Sequence, residues 1–113
     1  MGEKRDVPPD LLPGTLDMLV LRILARGSMH GYGIAQRLRE LSDEVLVVGE
    51  SSLYPALQRL LLNDYVRAEW APSANNRRAR YYTLTPTGRK HLQAEKSEFN
   101  RLIGAIQHVL ENA

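Results

Sequence analysis

With 113 residues, 43% of them apolar and 6% aromatic, the chain has room for one domain with a modest, mainly aliphatic core. It contains no cysteine, which excludes disulfides, thiolate catalysis and cysteine-based zinc sites and fits a cytoplasmic protein. The net charge is only +2 but unevenly spread: Asp43, Glu44 and Glu50 crowd the middle, whereas Arg77, Arg78, Arg80, Arg89 and Lys90 fall within fourteen positions that hold no acid.

Residues 1–12 have two consecutive prolines and mixed charges, the composition of a flexible arm. They hold no apolar run, so no secretory signal is expected, and Asp6 stands where a myristoylation start needs Ser or Thr. Nowhere does the chain approach the roughly 20 consecutive apolar residues of a membrane span, so no membrane partner is expected.

The first helix is expected near Thr15, an acceptable N-cap, with Asp17 in the first turn where the helix dipole favours an acid. Leu16, Leu19, Val20, Ile23 and Leu24 recur at helical spacing, Met18 and Leu21 widen the apolar face, and Gly27 is a natural stop. A second helix is predicted over Gly31–Leu41, with Ile34, Ala35, Leu38 and Leu41 inward. Val45–Val48 is rich in β-branched residues and is compatible with a brief strand. Pro55 constrains the third helix, because proline is best tolerated in a first turn; the start is expected near Ser51 or Ser52, either of which can cap it. Leu53, Leu57, Leu60 and Leu61 then form its buried stripe.

Tyr65–Ala71 and Ala79–Leu84 read as the strands of a hairpin, joined by the turn formers Pro72-Ser73-Ala74-Asn75-Asn76. Tyr81 and Tyr82 point opposite ways, so one belongs to the core. Thr85-Pro86 is an N-cap followed by a proline in the first helical position. The helix it starts runs nearly to the C-terminus, with Leu92, Phe99 and Ile106 spaced by seven and Leu102, Ile103, Val109 and Leu110 in the same seam. So long an apolar seam exceeds what a small domain can cover. It predicts a dimerisation helix; folding back on its own domain is the alternative. The fold class is therefore mainly α with a small β-hairpin: a winged helix-turn-helix over residues 13–85 and a long C-terminal dimerisation helix over 86–113.

Catalysis has little support. His30, His91 and His108 lack ligand-like spacing, no nucleophile has an evident base, and Gly31-Tyr32-Gly33 follows no strand and so is no phosphate loop. Those glycines are better read as allowing close helix packing. No enzyme activity, cofactor or metal is expected.

Nucleic acid is the better partner. The third helix offers Ser51, Ser52, Tyr54, Pro55, Gln58 and Arg59 on its outer face. Hydroxyls can donate to phosphate, Gln58 can pair with adenine, and Arg59 either pairs with guanine or is held by an acid of its own chain. Tyr54 either faces the groove or packs partly into the core. In the wing, Asn76, Arg77, Arg78 and Arg80, with Asn75 beside them, can reach phosphates or the minor groove. A strand that has begun by residue 78 puts Arg78 and Arg80 on one face.

The chain resembles the PadR family of bacterial transcriptional regulators. The resemblance is carried by Leu16-Asp17-Met18-Leu19-Val20-Leu21, by His30-Gly31-Tyr32-Gly33-Ile34, by Ser52-Leu53-Tyr54-Pro55-Ala56-Leu57-Gln58-Arg59-Leu60, and by Arg80-Tyr81-Tyr82-Thr83-Leu84-Thr85-Pro86-Thr87-Gly88. It implies a homodimer formed through the last helix and helix one, with Leu16 and Leu19 as the helix-one residues of the interface, acting as a repressor on a palindromic operator in double-stranded DNA and often answering a small-molecule effector. A single helix after the wing places the chain with the short branch of the family. Ser51 replaces a small residue that is often glycine, and Gly33 stands where an acid is also common. Some short relatives sandwich planar drugs between subunits on a tryptophan of the last helix; here that helix has only Phe99, and Trp70 lies in the first wing strand. The alternative function is a winged-helix protein-interaction module that does not bind DNA.

Overall fold

The computed structural model describes residues 14–113; the arm expected over residues 1–12 lies outside them. In chain order the elements are α1 (Thr15–Leu24), β1 (Met29–His30), α2 (Gly31–Leu41), α3 (Glu50–Leu62), β2 (Val66–Pro72), β3 (Arg78–Leu84) and α4 (Pro86–Asn112). The three strands form one antiparallel sheet in the order β1-β3-β2.

Most of the apolar spacing read from the sequence is buried, although Leu16, Leu19, Ala35 and Leu61 are only partly so and Met18 and Leu21, off the α1 stripe, are buried. Val20 and Leu21 of α1, Ile34 and Leu38 of α2, Leu53, Leu57 and Leu60 of α3, Val66, Tyr82 and Leu92 meet in one aliphatic core. Ala56 is fully buried as well, and its small side chain lets α3 lie close to its neighbours. Among the described residues no buried side-chain nitrogen or oxygen lacks a partner, and no helix is long and apolar enough to cross a membrane.

Several expectations are corrected. The cap of α1 is Gly14, whose φ of 81° suits glycine, and Thr15 is already helical. Leu41 is 64% exposed rather than inward, because α2 ends there and the chain turns away through Ser42 and Asp43, the latter at a φ of 54°. Val45–Val48 forms no strand. The Ser42 hydroxyl accepts the Leu46 N–H at 2.8 Å, and the edge of β3 opposite β2 is taken by Met29–His30, which pair with Tyr82 and Tyr81. Neither Ser51 nor Ser52 caps α3, which begins at Glu50 after Gly49. Pro55 therefore lies beyond the first turn, where the missing N–H and ring clash weigh against a helix by about 3 kcal/mol, and the buried leucine stripe has to offset that.

One polar junction joins α3, the wing and α4. At the end of α3, Asp64 adopts a left-handed φ of 64°, and the Tyr65 N–H reaches back to the Leu60 carbonyl at 2.9 Å. The Thr85 hydroxyl donates to the Asp64 carbonyl at 2.7 Å and accepts the Gly88 N–H at 2.9 Å, while the Thr85 N–H donates to the Tyr65 carbonyl at 3.1 Å. Thr85 is thus the N-cap the sequence predicts, with Pro86 in the first helical position. From this junction the 27 residues of α4 run about 40 Å at 1.5 Å per residue. Leu92 is buried and Phe99 half-buried, but Leu102, Ile106, Val109 and Leu110 stand exposed on the far half.

Candidate nucleic-acid interface

A helix of 3.6 residues per turn cannot bury every side, and α3 divides cleanly. Leu53, Ala56, Leu57 and Leu60 face the core; Ser51, Tyr54, Pro55, Gln58 and Arg59 are exposed, and Ser52 is half-buried beside them. Polar side chains on one face of a short helix are what reading base edges in a major groove requires.

Arg59 is not a free guanidinium. Its Nε donates to Asp17 Oδ2 at 3.1 Å and an Nη to Asp17 Oδ1 at 2.7 Å, a two-point pair joining α3 to α1. These hydrogen bonds raise the Arg59 pKa above its ordinary value against a smaller opposing effect of burial. Of the two roles open to it in the sequence, the internal one is occupied. Tyr54 is 46% exposed, and its ring lies against Gly31, where an added Cβ would stand 3.1 Å from the hydroxyl. Gly31 gives that ring its place, and Gly33 does the same for Met29, whose Cγ would be 2.8 Å from a Cβ. Contrary to expectation a strand, β1, does end directly before Gly31, but the glycines of this motif meet side chains and serve packing.

His30 caps α2: its Nδ1 accepts the Gly33 N–H at 3.0 Å. Its ring meets Tyr81 edge-on with centroids 5.3 Å apart, and Tyr81 in turn donates to the Pro72 carbonyl at 3.3 Å. His91 stacks on Tyr65 with ring centroids 4.1 Å apart. Among the described residues no group of three or more His, Asp or Glu side chains is placed to hold a metal ion.

The wing is β2, β3 and the loop 73–77. That loop closes through the Ser73 N–H on the Arg77 carbonyl at 2.6 Å, with Asn76 left-handed at a φ of 63°. Asn75, Asn76 and Arg77 crown it, exposed. Register pairs Pro72 with Arg78, Trp70 with Arg80 and Ala68 with Tyr82, so these six share one face of the ribbon. Near the domain that face is core: Tyr82 is 4% exposed, and burial raises its pKa while nearby Arg80 works in the opposite direction. Farther out the same face carries Trp70, Arg78 and Arg80 past the core, with the Arg80 guanidinium 5.9 Å from the centre of the Tyr82 ring.

Three further side chains adjoin this surface. Tyr32 and Gln36 of α2 and Trp70 of β2 border the space between wing and helices. Spacing along the chain does not single them out, although an exposed tyrosine just inside a helix start is a signal once His30 is known to cap it. Of the residues assigned to the seam of α4, Leu92 lies in the protomer's own core, Phe99 and Ile103 are half-buried, and the others are exposed. Leu16 and Leu19 of α1 are half-buried.

Known proteins share this arrangement. A transcriptional regulator from Clostridium thermocellum has a similar structure with a TM-score of 0.80 and 30% identity, over 88% of this chain and 96% of that one. A PadR family transcription regulator from Clostridium difficile superposes with a TM-score of 0.74 and 27% identity, over 86% and 99% of the two chains. Uncharacterized protein X of Lysinibacillus sphaericus is 26% identical over 108 residues, 93% of this chain and 99% of its own. The model of the transcriptional regulator PadR-like family matches residues 20–94. The chain belongs to that family, a family of DNA-binding transcriptional regulators with a winged-helix fold and not of enzymes.

Proposed function

We propose that the protein is a cytoplasmic homodimeric repressor. Each protomer places α3 in a major groove and the wing against the adjacent backbone, on a roughly palindromic operator with half-sites about one helical turn apart. A small-molecule effector releases it, as the family resemblance suggests. The observation that carries the dimeric part of this reading is the division of α4: one half packs on its own domain, and the other leaves Leu102, Ile106, Val109 and Leu110 in solvent. The polar face of α3 supplies the readers, with Ser51, Ser52, Tyr54 and Pro55 near the backbone and Gln58 placed for a base edge. Asn76, Arg77, Arg78 and Arg80 supply the sequence-independent part.

The test is titration of duplex DNA from upstream of the protein's own coding region at several salt concentrations. Arg77→Ala, Arg78→Ala and Arg80→Ala together should weaken binding to all sequences and flatten the dependence of log affinity on log salt by about one for each phosphate no longer neutralised. Gln58→Ala should instead cost about 1–3 kcal/mol on the preferred sequence and little elsewhere. Loss of repression of a reporter in parallel supports the repressor role. Absence of salt-sensitive, competitor-resistant binding at micromolar protein would favour a protein-docking module.

A further inference from the structure

His30 caps α2, pairs with Tyr81 from β1 and packs on that residue of the wing, and imidazole is the side chain whose ordinary titration falls in the physiological range. Its capping role fixes its protonation state. Nδ1 accepts the Gly33 N–H at 3.0 Å, which an imidazole nitrogen does only through a lone pair, so the ring is neutral with its proton on Nε2. A second proton has to sit on Nδ1, where it would point at the Gly33 N–H, donor against donor. The cap is then lost, and a positive charge is left at a helix end whose dipole favours an anion.

The ring is held from several sides. A Cβ at Gly33 would lie 3.3 Å from its Cε1, Tyr32 stacks on it with centroids 6.5 Å apart, and Tyr81 meets it edge-on at 5.3 Å. Tyr81 is also the partner of His30 in register, and its hydroxyl donates at 3.3 Å to the carbonyl of Pro72, the last residue of β2 before the wing loop. A ring that swings away from Gly33 therefore moves against the residue that ties β3 to the outer end of β2.

The charges around His30 offer a proton no reward. His30 borders the space between wing and helices together with Arg77, Arg78 and Arg80. The acid that shares its sheet face is Glu69, which pairs with Tyr81 from the far side of β3, and among the described residues it makes no ion pair with His30. The histidine that does meet a carboxylate is His91, 3.9 Å from Glu95.

We propose that His30 is a proton-sensitive latch: neutral, it fastens the start of α2 and β1 to the wing, and protonated, it releases them and weakens DNA binding. The output on DNA rests on the reading of α3 and the wing as DNA contacts; the latch itself does not. Added positive charge beside three arginines would by itself favour an anionic partner, so a loss of affinity in acid reads the latch and not the charge.

The experiment uses the full chain and His30→Asn, which keeps a preferred capping acceptor but does not titrate; His30→Asp is the second such cap should the asparagine variant fold poorly. Urea unfolding is followed at about pH 8 and about pH 5.5, on either side of the ordinary imidazole range. The unfolded chain takes up a proton at residue 30 that the capped fold excludes, so acid favours unfolding. Relative to His30→Asn, the wild type should lose about fivefold in the folding equilibrium constant, the size of a typical lost N-cap. His91 and His108 titrate in both proteins and cancel in the ratio. Binding is measured on fluorescein-labelled duplexes enriched by the wild type from a random library at the higher pH. Wild-type affinity should fall about two- to fivefold relative to His30→Asn over the same interval, in proportion to the molecules whose latch is open. Tyr81→Phe, which lacks the hydroxyl that reaches Pro72, should keep the pH dependence of stability and lose most of that of binding. Parallel stability profiles in the wild type and the capping variants overturn the latch. Relative affinity that holds or rises in acid overturns its effect on DNA while leaving DNA binding intact, and an unchanged binding profile in Tyr81→Phe overturns the route through the wing. A library from which the wild type enriches no duplex overturns the DNA reading and the regulatory role with it, while the unfolding profiles still decide the latch.

Discussion

Gly88 and Gly31 each stand near the start of a helix with a neighbour close by, but those neighbours differ in their freedom to move. A Cβ at Gly88 would lie 2.0 Å from the Tyr65 carbonyl oxygen, a backbone atom fixed by the Thr85 N–H at 3.1 Å. Relief would require the start of α4 to move off the end of α3, disturbing the Thr85 cap as well. Gly88→Ala should therefore destabilise the fold by about 3 kcal/mol, the upper range of overpacking, which thermal or urea unfolding reads directly. At Gly31 the neighbour is the tip of a side chain, with Tyr54 Oη at 3.1 Å and Cε1 at 3.2 Å. Alanine gains about 0.5–1 kcal/mol over glycine within a helix, and displacing the tyrosine ring offsets part of that. Gly31→Ala should leave the unfolding midpoint nearly unchanged while DNA affinity falls severalfold, because the moved ring belongs to the proposed contact surface. A large loss of stability at Gly31, or none at Gly88, would contradict this account of the two glycines.

The orientation of α3 is set by its leucine stripe on the core side and by the Arg59–Asp17 pair on the α1 side. With the Arg59 side chain 55% exposed, a stability contribution of no more than about 0.5–1 kcal/mol is expected, so its larger role is to hold α3 in register against α1. Asp17→Ala and Arg59→Ala should then weaken DNA binding to a similar, modest degree, and the double variant little further. Were Arg59 instead a DNA contact, Asp17→Ala would free it and binding would hold or tighten. The same region shows what is legible in a sequence. The bounds of α2, the hairpin, the cap at Thr85 and the shared face of Arg78 and Arg80 all follow from local periodicity or turn chemistry, and the structure has them. Met29–His30 as a strand does not: two residues have no period, and their partner lies some fifty positions away, at Tyr81 and Tyr82. The start of α3 departs from expectation because the proline rule ranks local strain above tertiary burial, and Leu53, Leu57 and Leu60 reverse that ranking. Nor does the sequence decide that Arg59 pairs with Asp17, since that depends on how two helices 42 residues apart meet.

At the scale of the whole molecule the remaining imbalance is on α4. The domain measures 55 × 40 × 20 Å, and the last turns of α4 carry Ile106 at 39%, Val109 at 61% and Leu110 at 77% exposure with no core of their own. A second copy presenting the same seam would cover them and fix the distance between two α3 helices, which a palindrome requires. Ile106 and Leu92 occupy the same seven-residue spacing, yet they should answer mutation in opposite ways. Leu92→Ala removes a residue that is 4% exposed in the protomer's core, so unfolding stability should drop by about 2–4 kcal/mol. Ile106→Glu puts a charge on the outer half of the seam. It should leave the helix content of the circular dichroism spectrum intact while shifting sedimentation from dimer to monomer at tens of micromolar. DNA affinity should fall toward that of a single half-site, because binding one half no longer brings the other half within reach. A monomeric wild type would refute the dimer outright. A dimer that survives Ile106→Glu would move the weight of the interface away from Ile106, with Leu16 and Leu19 of α1 the next residues to test.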